Sequence, residues 1–273
     1  MPARKYKVVI AYDGTDYSGW QYQENALGIQ QVVEEAVSWL EGAPVRVYGS
    51  SRTDAGVHAK GFSAHFTLTK PIPPRNIPRA LNSRLPDAIR VLKASYANAK
   101  FDARLSAKGK EYRYFVWQSD IMPPHIARYW TFSHRPLDLS AMQEAAAYFV
   151  GKHDFVSFAA NPDRELETTV RTIFSFNVEK RGPGFVFKVR GDGFLYKQVR
   201  SMAGFLLSVG KGNEKPLAVK ELLDAASPRT ARVETAPARG LFLWKVFYGN
   251  IGKAQTISAS IASQISVPRS VSR

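Results

Sequence analysis

Tyr6, Val8 and Ile10 fall at alternate positions of "KYKVVIAYDG", the two-residue period of a strand with one buried face. Ile29, Val32, Val33, Ala36, Val37 and Leu40 then recur three and four residues apart, which predicts a helix ended by Gly42. Alternation returns in "VRVYGS" and in "GFSAHFTL", where Phe62, Ala64, Phe66 and Leu68 share a face. "PRNIPRALNSRL" predicts a short helix and "AIRVLKASYANA" a further strand. The order is β-α-β-β-α-β, the split βαβ or ferredoxin-like arrangement.

Beyond "FDARLSAKGK", where one half passes into the next, the same order is read again. "KEYRYFVWQ" predicts a strand, and "LDLSAMQEAAAYFVG" a helix with Ser140 as cap and Gln143 closing a capping box. "TVRTIFSFNVEK" and "GFVFKVRGDGFL" predict a hairpin through "RGPG". The helices "YKQVRSMAGFLLSVG" and "PLAVKELLDAAS" precede a closing strand, "GLFLWKVFY". The expectation is an α+β chain of two ferredoxin-like βαββαβ halves, residues 1–104 and 105–250. Residues 251–273 hold Ser, Ala and Ile without an acid and read as a mobile tail.

Charge adds a partner. The chain carries 38 Lys and Arg against 23 Asp and Glu, a formal net charge of +15. Such an excess concentrates polyanions and speeds their encounter, and nucleic acid is the first to consider. A ribosome-associated or membrane-surface protein carries the same excess, so charge does not choose among them. There is no cysteine, which excludes disulfides and thiolate metal sites. The apolar run near the start is too short for a signal peptide and no stretch reaches a membrane span; a cytoplasmic protein with no membrane partner is expected. Histidines at 58, 65, 125, 134 and 153 form no helical pair around an acid, so no metal is expected. "RGDGFL" and "RGPGFV" lack the third glycine of a dinucleotide fingerprint, and the glycines of "GFLLSVGKG" are spaced one residue too widely for a phosphate loop. No cofactor is expected. "KGFSAHF" begins like the base-stacking strand of an RNA-recognition module and departs from it at the central aromatic position.

The segment "GSSRTDAGVHA" places a lone carboxylate, Asp54, two residues after Arg52 in this basic chain. Two readings of it stand side by side. Asp54-Ala55-Gly56 suits a turn, with Arg52 and Asp54 as a surface ion pair of little worth. In an extended run, however, residues two apart share a face. Arg52 then lies beside a carboxylate in a cleft, and Asp54 serves as a nucleophile that requires neither metal nor cofactor.

"GSSRTDAGVHA" resembles the signature loop of the tRNA pseudouridine synthase A family, with Ser51 in place of a usual glycine. "YDGTDYSGWQ", "FDARLSAKGKEYRY", "GKHDFVSF", "TVRTI", "FLYKQVRSMAG" and "APARGLFL" resemble its other motifs in the same order, over residues 5 to 248. The resemblance implies a pseudouridine synthase fold, in which the antiparallel sheets of the two halves flank a central basic active-site cleft. It implies isomerisation of uridine to pseudouridine at positions 38, 39 and 40 of the tRNA anticodon stem-loop, without a cofactor. The base leaves the stack to react. Asp54 is then the nucleophile, Arg52 the base-flipping and positioning residue, and Tyr112, Arg200 and Leu241 contact the substrate or the Asp. Unaided, Tyr112 and Leu241 read as strand core, Arg200 as a helix-face charge and His58 as structural. Whether Asp54 adds to C6, attacks C1′ or abstracts a sugar proton stays open. The resemblance also implies a homodimer. The alternative is a non-catalytic ferredoxin-like RNA-binding or RNA-chaperone protein. Against it, an acid aimed at a polyanion only weakens binding.

Overall fold

Alternation in the first strand, β1 (Arg4–Tyr12), buries Tyr6, Val8, Ile10 and Tyr12 in the computed structural model, which describes residues 3–160 and 168–249. The expected tail lies outside the described residues. The next elements are α1 (Ile29–Glu41), β2 (Tyr48–Gly49), β3 (His58–Leu68), α2 (Ile77–Asn82) and β4 (Ile89–Tyr96). β1 lies antiparallel between β3 and β4. Tyr6 faces Phe66, Val8 faces Ala64 and Ile10 faces Phe62. Residues directly opposite share a face, so these six form one apolar surface. Ile29, Val33 and Val37 of α1 and Ile77 and Leu81 of α2 are buried in the same core.

"VRVYGS" yields a strand of only two residues. Helix α1 takes the backbone groups that would extend it: Glu34 Oε1 accepts from Val47 N at 2.9 Å, and Gln30 Nε2 donates to Val47 O at 2.9 Å. The paired residues are Tyr48 with His65 and Gly49 with Ala64.

The second set runs β5 (Gly109–Gln118), β6 (Thr131–Ser133), α3 (Leu139–Tyr148), β7 (Gly151–Asp154), β8 (Val170–Arg181), β9 (Gly184–Gly191), α4 (Gln198–Gly210), α5 (Ala218–Ala225) and β10 (Leu241–Phe247). β6 and β7 are too short to show a period in the sequence; β6 adds parallel to β5 and β7 antiparallel to β8. The cap of α3 is Asp138, whose Oδ1 accepts from Ala141 N at 3.0 Å, and not Ser140. Gln143 is likewise not a box partner: its Nε2 donates to Val178 O at 3.0 Å. Asp138 sits one residue before the first helical position, where a carboxylate reaches the orphan N–H three residues on.

The strands are ordered β4-β1-β3-β10-β5-β9-β8-β7, with β2 beside β3 and β6 beside β5. Numbered within its half, the first set reads 4-1-3-2, and β10, β5, β9 and β8 repeat that order in the second once the short β6 and β7 are set aside. The two sets do not form separate sheets. β10, the last strand of the described residues, inserts between the halves, antiparallel to β5 and parallel to β3 through Phe242–His58 and Leu243–Ala59. One mixed ten-stranded sheet therefore runs through the molecule, and its central seam brings the loop before β3 against β5 and β10.

Candidate active site

The loop carrying Asp54 joins β2 to β3 and lies on the segment "YDGTDYSGW". A Cβ at Gly14 would stand 2.1 Å from Val57 O. A Cβ at Gly19, where φ is +89°, would stand 2.2 Å from Thr53 O. Only glycine permits that approach and that dihedral. Trp20 N donates to Thr53 O and Gly56 N to Tyr17 O, each at 3.2 Å, and the Tyr12 and Thr53 hydroxyls pair at 2.9 Å. Val57 N donates to Asp54 O at 3.1 Å and closes the turn. The N-terminal motif is thus the bed on which the Asp54 loop is laid, and the turn reading of Asp54-Ala55-Gly56 is correct as far as the backbone goes.

The side chain is another matter. Arg200, in the first turn of α4, donates from Nη1 to Asp54 Oδ2 at 2.8 Å and from Nε to Ala236 O at 2.8 Å. Two bonds from one planar group fix its orientation. The Asp54 side chain keeps 20% of its surface exposed and Arg200 14%, so the pair is largely removed from water. It lies in a cleft of about 980 Å³, whose lining comes from both halves and holds seven Lys or Arg side chains against two carboxylates, Asp54 and Asp102. That is the upper end of the volumes that enclose small ligands.

Tyr112, on β5, is 6% exposed and meets Phe194 edge-on at 5.2 Å and 84°. Its hydroxyl lies 3.4 Å from Ser51 Oγ. Burial pushes the phenol up to about 12, with Ser51 pulling weakly the other way and the Asp54 charge adding to the rise. The ring is therefore neutral at ordinary pH, suited to stacking and ill suited to removing a proton. Phe194 is held by a turn in which Gln198 Oε1 accepts from Leu195 N at 2.8 Å. Leu241 opens β10 opposite Tyr114 and is 5% exposed at the cleft wall.

His58 is fully buried and ties the halves together. Its Nδ1 accepts from Gly14 N at 3.1 Å, while Nε2 stands 3.0 Å from Arg128 O and 3.2 Å from Arg239 O. Two carbonyls require the proton on Nε2. The ring is a backbone fastener, as read from the sequence.

The family model described as tRNA pseudouridine synthase matches residues 8–105 and 145–249. The chain belongs to the tRNA pseudouridine synthase family. It is 43% identical over 246 residues to tRNA pseudouridine synthase A of Exiguobacterium sibiricum, covering 90% of this chain and 97% of the relative. The same-named protein of Geotalea uraniireducens is 44% identical over 246 residues, 90% of this chain and 100% of that one. That of Brevibacillus brevis is 41% identical over 245 residues with the same coverage.

All five residues expected from the sequence, Arg52, Asp54, Tyr112, Arg200 and Leu241, line this one cleft. One expectation changes in emphasis. The 2.8 Å guanidinium partner of Asp54 is Arg200, 146 positions away, while Arg52 is exposed at the cleft. The sequence reading missed Phe194 as the support of Tyr112, and missed Arg104, Lys110 and Arg171 as lining residues. All four stand inside or beside the quoted motif stretches, so their types were visible and only their convergence was not.

Proposed function

We propose that this tRNA pseudouridine synthase, an isomerase, acts on uridines 38, 39 and 40 of the anticodon stem-loop with Asp54 as nucleophile. The observation that carries the reading is a partly exposed carboxylate, ion-paired at 2.8 Å to an arginine of the other half, in a cleft whose charged lining is mostly cationic. A cleft built only to hold RNA gains nothing from that acid, since it repels phosphate.

A uracil enters the cleft only after leaving its stack, at a cost of a few kcal/mol. In this reading Arg52, which is exposed at the cleft, fills the gap the base leaves. Tyr112 offers a ring face, braced edge-on by Phe194, and Leu241 closes the wall. The N1–C1′ bond breaks, the uracil turns, C5 joins C1′, and the proton on C5 is exchanged for one on N1. No atom is gained or lost, so no cofactor is consumed. Addition of Asp54 to C6, attack at C1′ and abstraction of a sugar proton all return the carboxylate unchanged, and Arg200 holds it in place for each. We read residues 1–104 and 105–250 as two ferredoxin-like units flanking the cleft; the repeated strand order supports this. We further expect a cytoplasmic homodimer, as the family resemblance implies. Among the described residues no helix is long and apolar enough to cross a membrane.

The test is tritium release from an unmodified tRNA transcript labelled at C5 of uracil. The intact chain releases tritium, and Asp54→Asn loses the activity by a factor on the order of 10⁴ or more while still binding the tRNA. Equal release by both proteins removes Asp54 from the mechanism.

A further inference from the structure

Lys110 lies two residues before Tyr112 on β5, so the two side chains project from the same face of the strand. It lines the cleft together with Arg104, from the segment joining the halves, and Arg171, from β8. Among the described residues, neither the Lys110 ammonium nor the Arg104 guanidinium has a hydrogen bond or an ion pair. Arg171 spends one nitrogen, Nη1, on Thr168 O and Val170 O, and meets no carboxylate among the described residues. Asp102, the nearby acid, is occupied with the backbone: its Oδ1 accepts from Arg104 N and Leu105 N, both at 2.8 Å, and so fixes the loop that presents Arg104. Burial and the two neighbouring arginines push the Lys110 ammonium down to about 8. Three like charges gathered where water is partly excluded oppose folding by themselves. An anion entering between them reverses the sign of that contribution.

We infer that Arg104, Lys110 and Arg171 form a subsite for one backbone phosphate of the RNA, flanking the nucleotide whose base stacks on Tyr112. Two residues of strand span roughly 6.8 Å, the reach from a base to the phosphate of its own nucleotide or of the next. The inference rests on the isomerase reading for which nucleotide is held, but its signature is in binding. The cluster lies on the cleft wall beside the reacting centre, so it fixes how far the extruded nucleotide enters as well as adding affinity.

The experiment measures tRNA binding in the Asp54→Asn background, where no turnover intervenes. Lys110→Met weakens binding roughly tenfold or more and reduces the slope of log affinity against log salt by about 0.7. Lys110→Arg restores both. Transcripts carrying one neutral methylphosphonate, placed in turn at each linkage around the target uridine, then locate the partner. At one linkage the Lys110 protein loses roughly tenfold and the Lys110→Met protein loses nothing further, the coupling expected of a direct contact. Losses that simply multiply at every linkage overturn the subsite, as does an unchanged salt slope in Lys110→Met. Raising the pH from 7 to 8.8 weakens binding by the Lys110 protein, because the ammonium deprotonates, and leaves Lys110→Arg unaffected; parallel curves also overturn it. In the Asp54→Asn background the other titratable side chains lining the cleft are Asp102, Lys197, Tyr22, Tyr48, Tyr196 and Tyr112, the last pushed up to about 12; all are shared by the Lys110 and Lys110→Arg proteins, so a difference between their curves reports Lys110. A lack of tritium release by the intact chain, with the coupling present, rejects the isomerase reading and keeps the subsite.

Discussion

Tyr112 illustrates how one side chain is committed to one role by its surroundings. A phenol pushed up to about 12 is a poor base at neutral pH, and its hydroxyl contact to Ser51 is long, at 3.4 Å. The ring is what remains useful. Stacking on a base is worth about 1–3 kcal/mol, so Tyr112→Ala is expected to lower turnover about 5- to 150-fold, whereas Tyr112→Phe keeps most of it. Single-turnover rates of the two variants decide this, and a Phe variant as impaired as the Ala variant would return the hydroxyl to the chemistry. Arg200 makes the complementary case: its Nε is tied to Ala236 O, so a lysine there supplies charge without the two-point geometry that aims Asp54.

The element that matters most is the short loop between β2 and β3, and its stability is borrowed from neighbours. Gly14 and Gly19 let the first motif close up beneath it, and His58 pins its far end to Arg128 and Arg239 of the second half. Burial lowers the His58 imidazole below its usual 6.5, with Asp13 and the two backbone carbonyls pulling it back only in part. A histidine depressed in the folded state binds fewer protons there than in the unfolded chain. Its contribution is therefore complete above pH 6.5 and is lost as the pH falls through its lower folded value. Urea midpoints at pH 7.5, 6 and 5 should fall for the wild type. His58→Asn should be less stable at pH 7.5, by about 1–3 kcal/mol for each buried partner left unpaired, with a shallower decline towards acid. His65, lowered chiefly by burial, accounts for the decline that persists. An identical decline in His58→Asn would show that His58 is not the group being charged.

At the scale of the molecule, one continuous sheet runs through both halves of the described residues. β10 belongs to the second half by order in the chain, yet it is the strand through which β3 and β5 are joined. Opening either half exposes the seam of the other. Hydrogen exchange is expected to give the amides of β1 and β9 the same opening free energy, as for a single cooperative unit. Two distinct values would show halves that unfold independently. The same seam sets the cleft: the Asp54 loop enters from one side, and β5, β10 and α4 supply the other, with an excess of cations that suits a polyanion.

Much of this was legible in the order of residues, because periodicity is a local property. Alternation in β1, β3, β5, β8 and β9 and the helical spacing of α1 and α4 depend on neighbours a few positions apart, and each element stands where its pattern put it. Asp54 was legible for a chemical reason, as an acid set beside Arg52 in a basic chain and inside a resemblance with several ordered motifs. What could not be read was any relation between distant residues. The true cap of α3, the truncation of β2 by Glu34 and Gln30, and the insertion of β10 between the halves are each decided by which backbone groups find partners in three dimensions. So are the pairing of Asp54 with Arg200 and the gathering of Arg104, Lys110 and Arg171. Charges act through space, over a few ångströms, and only the folded chain brings residues a hundred or more positions apart within that range.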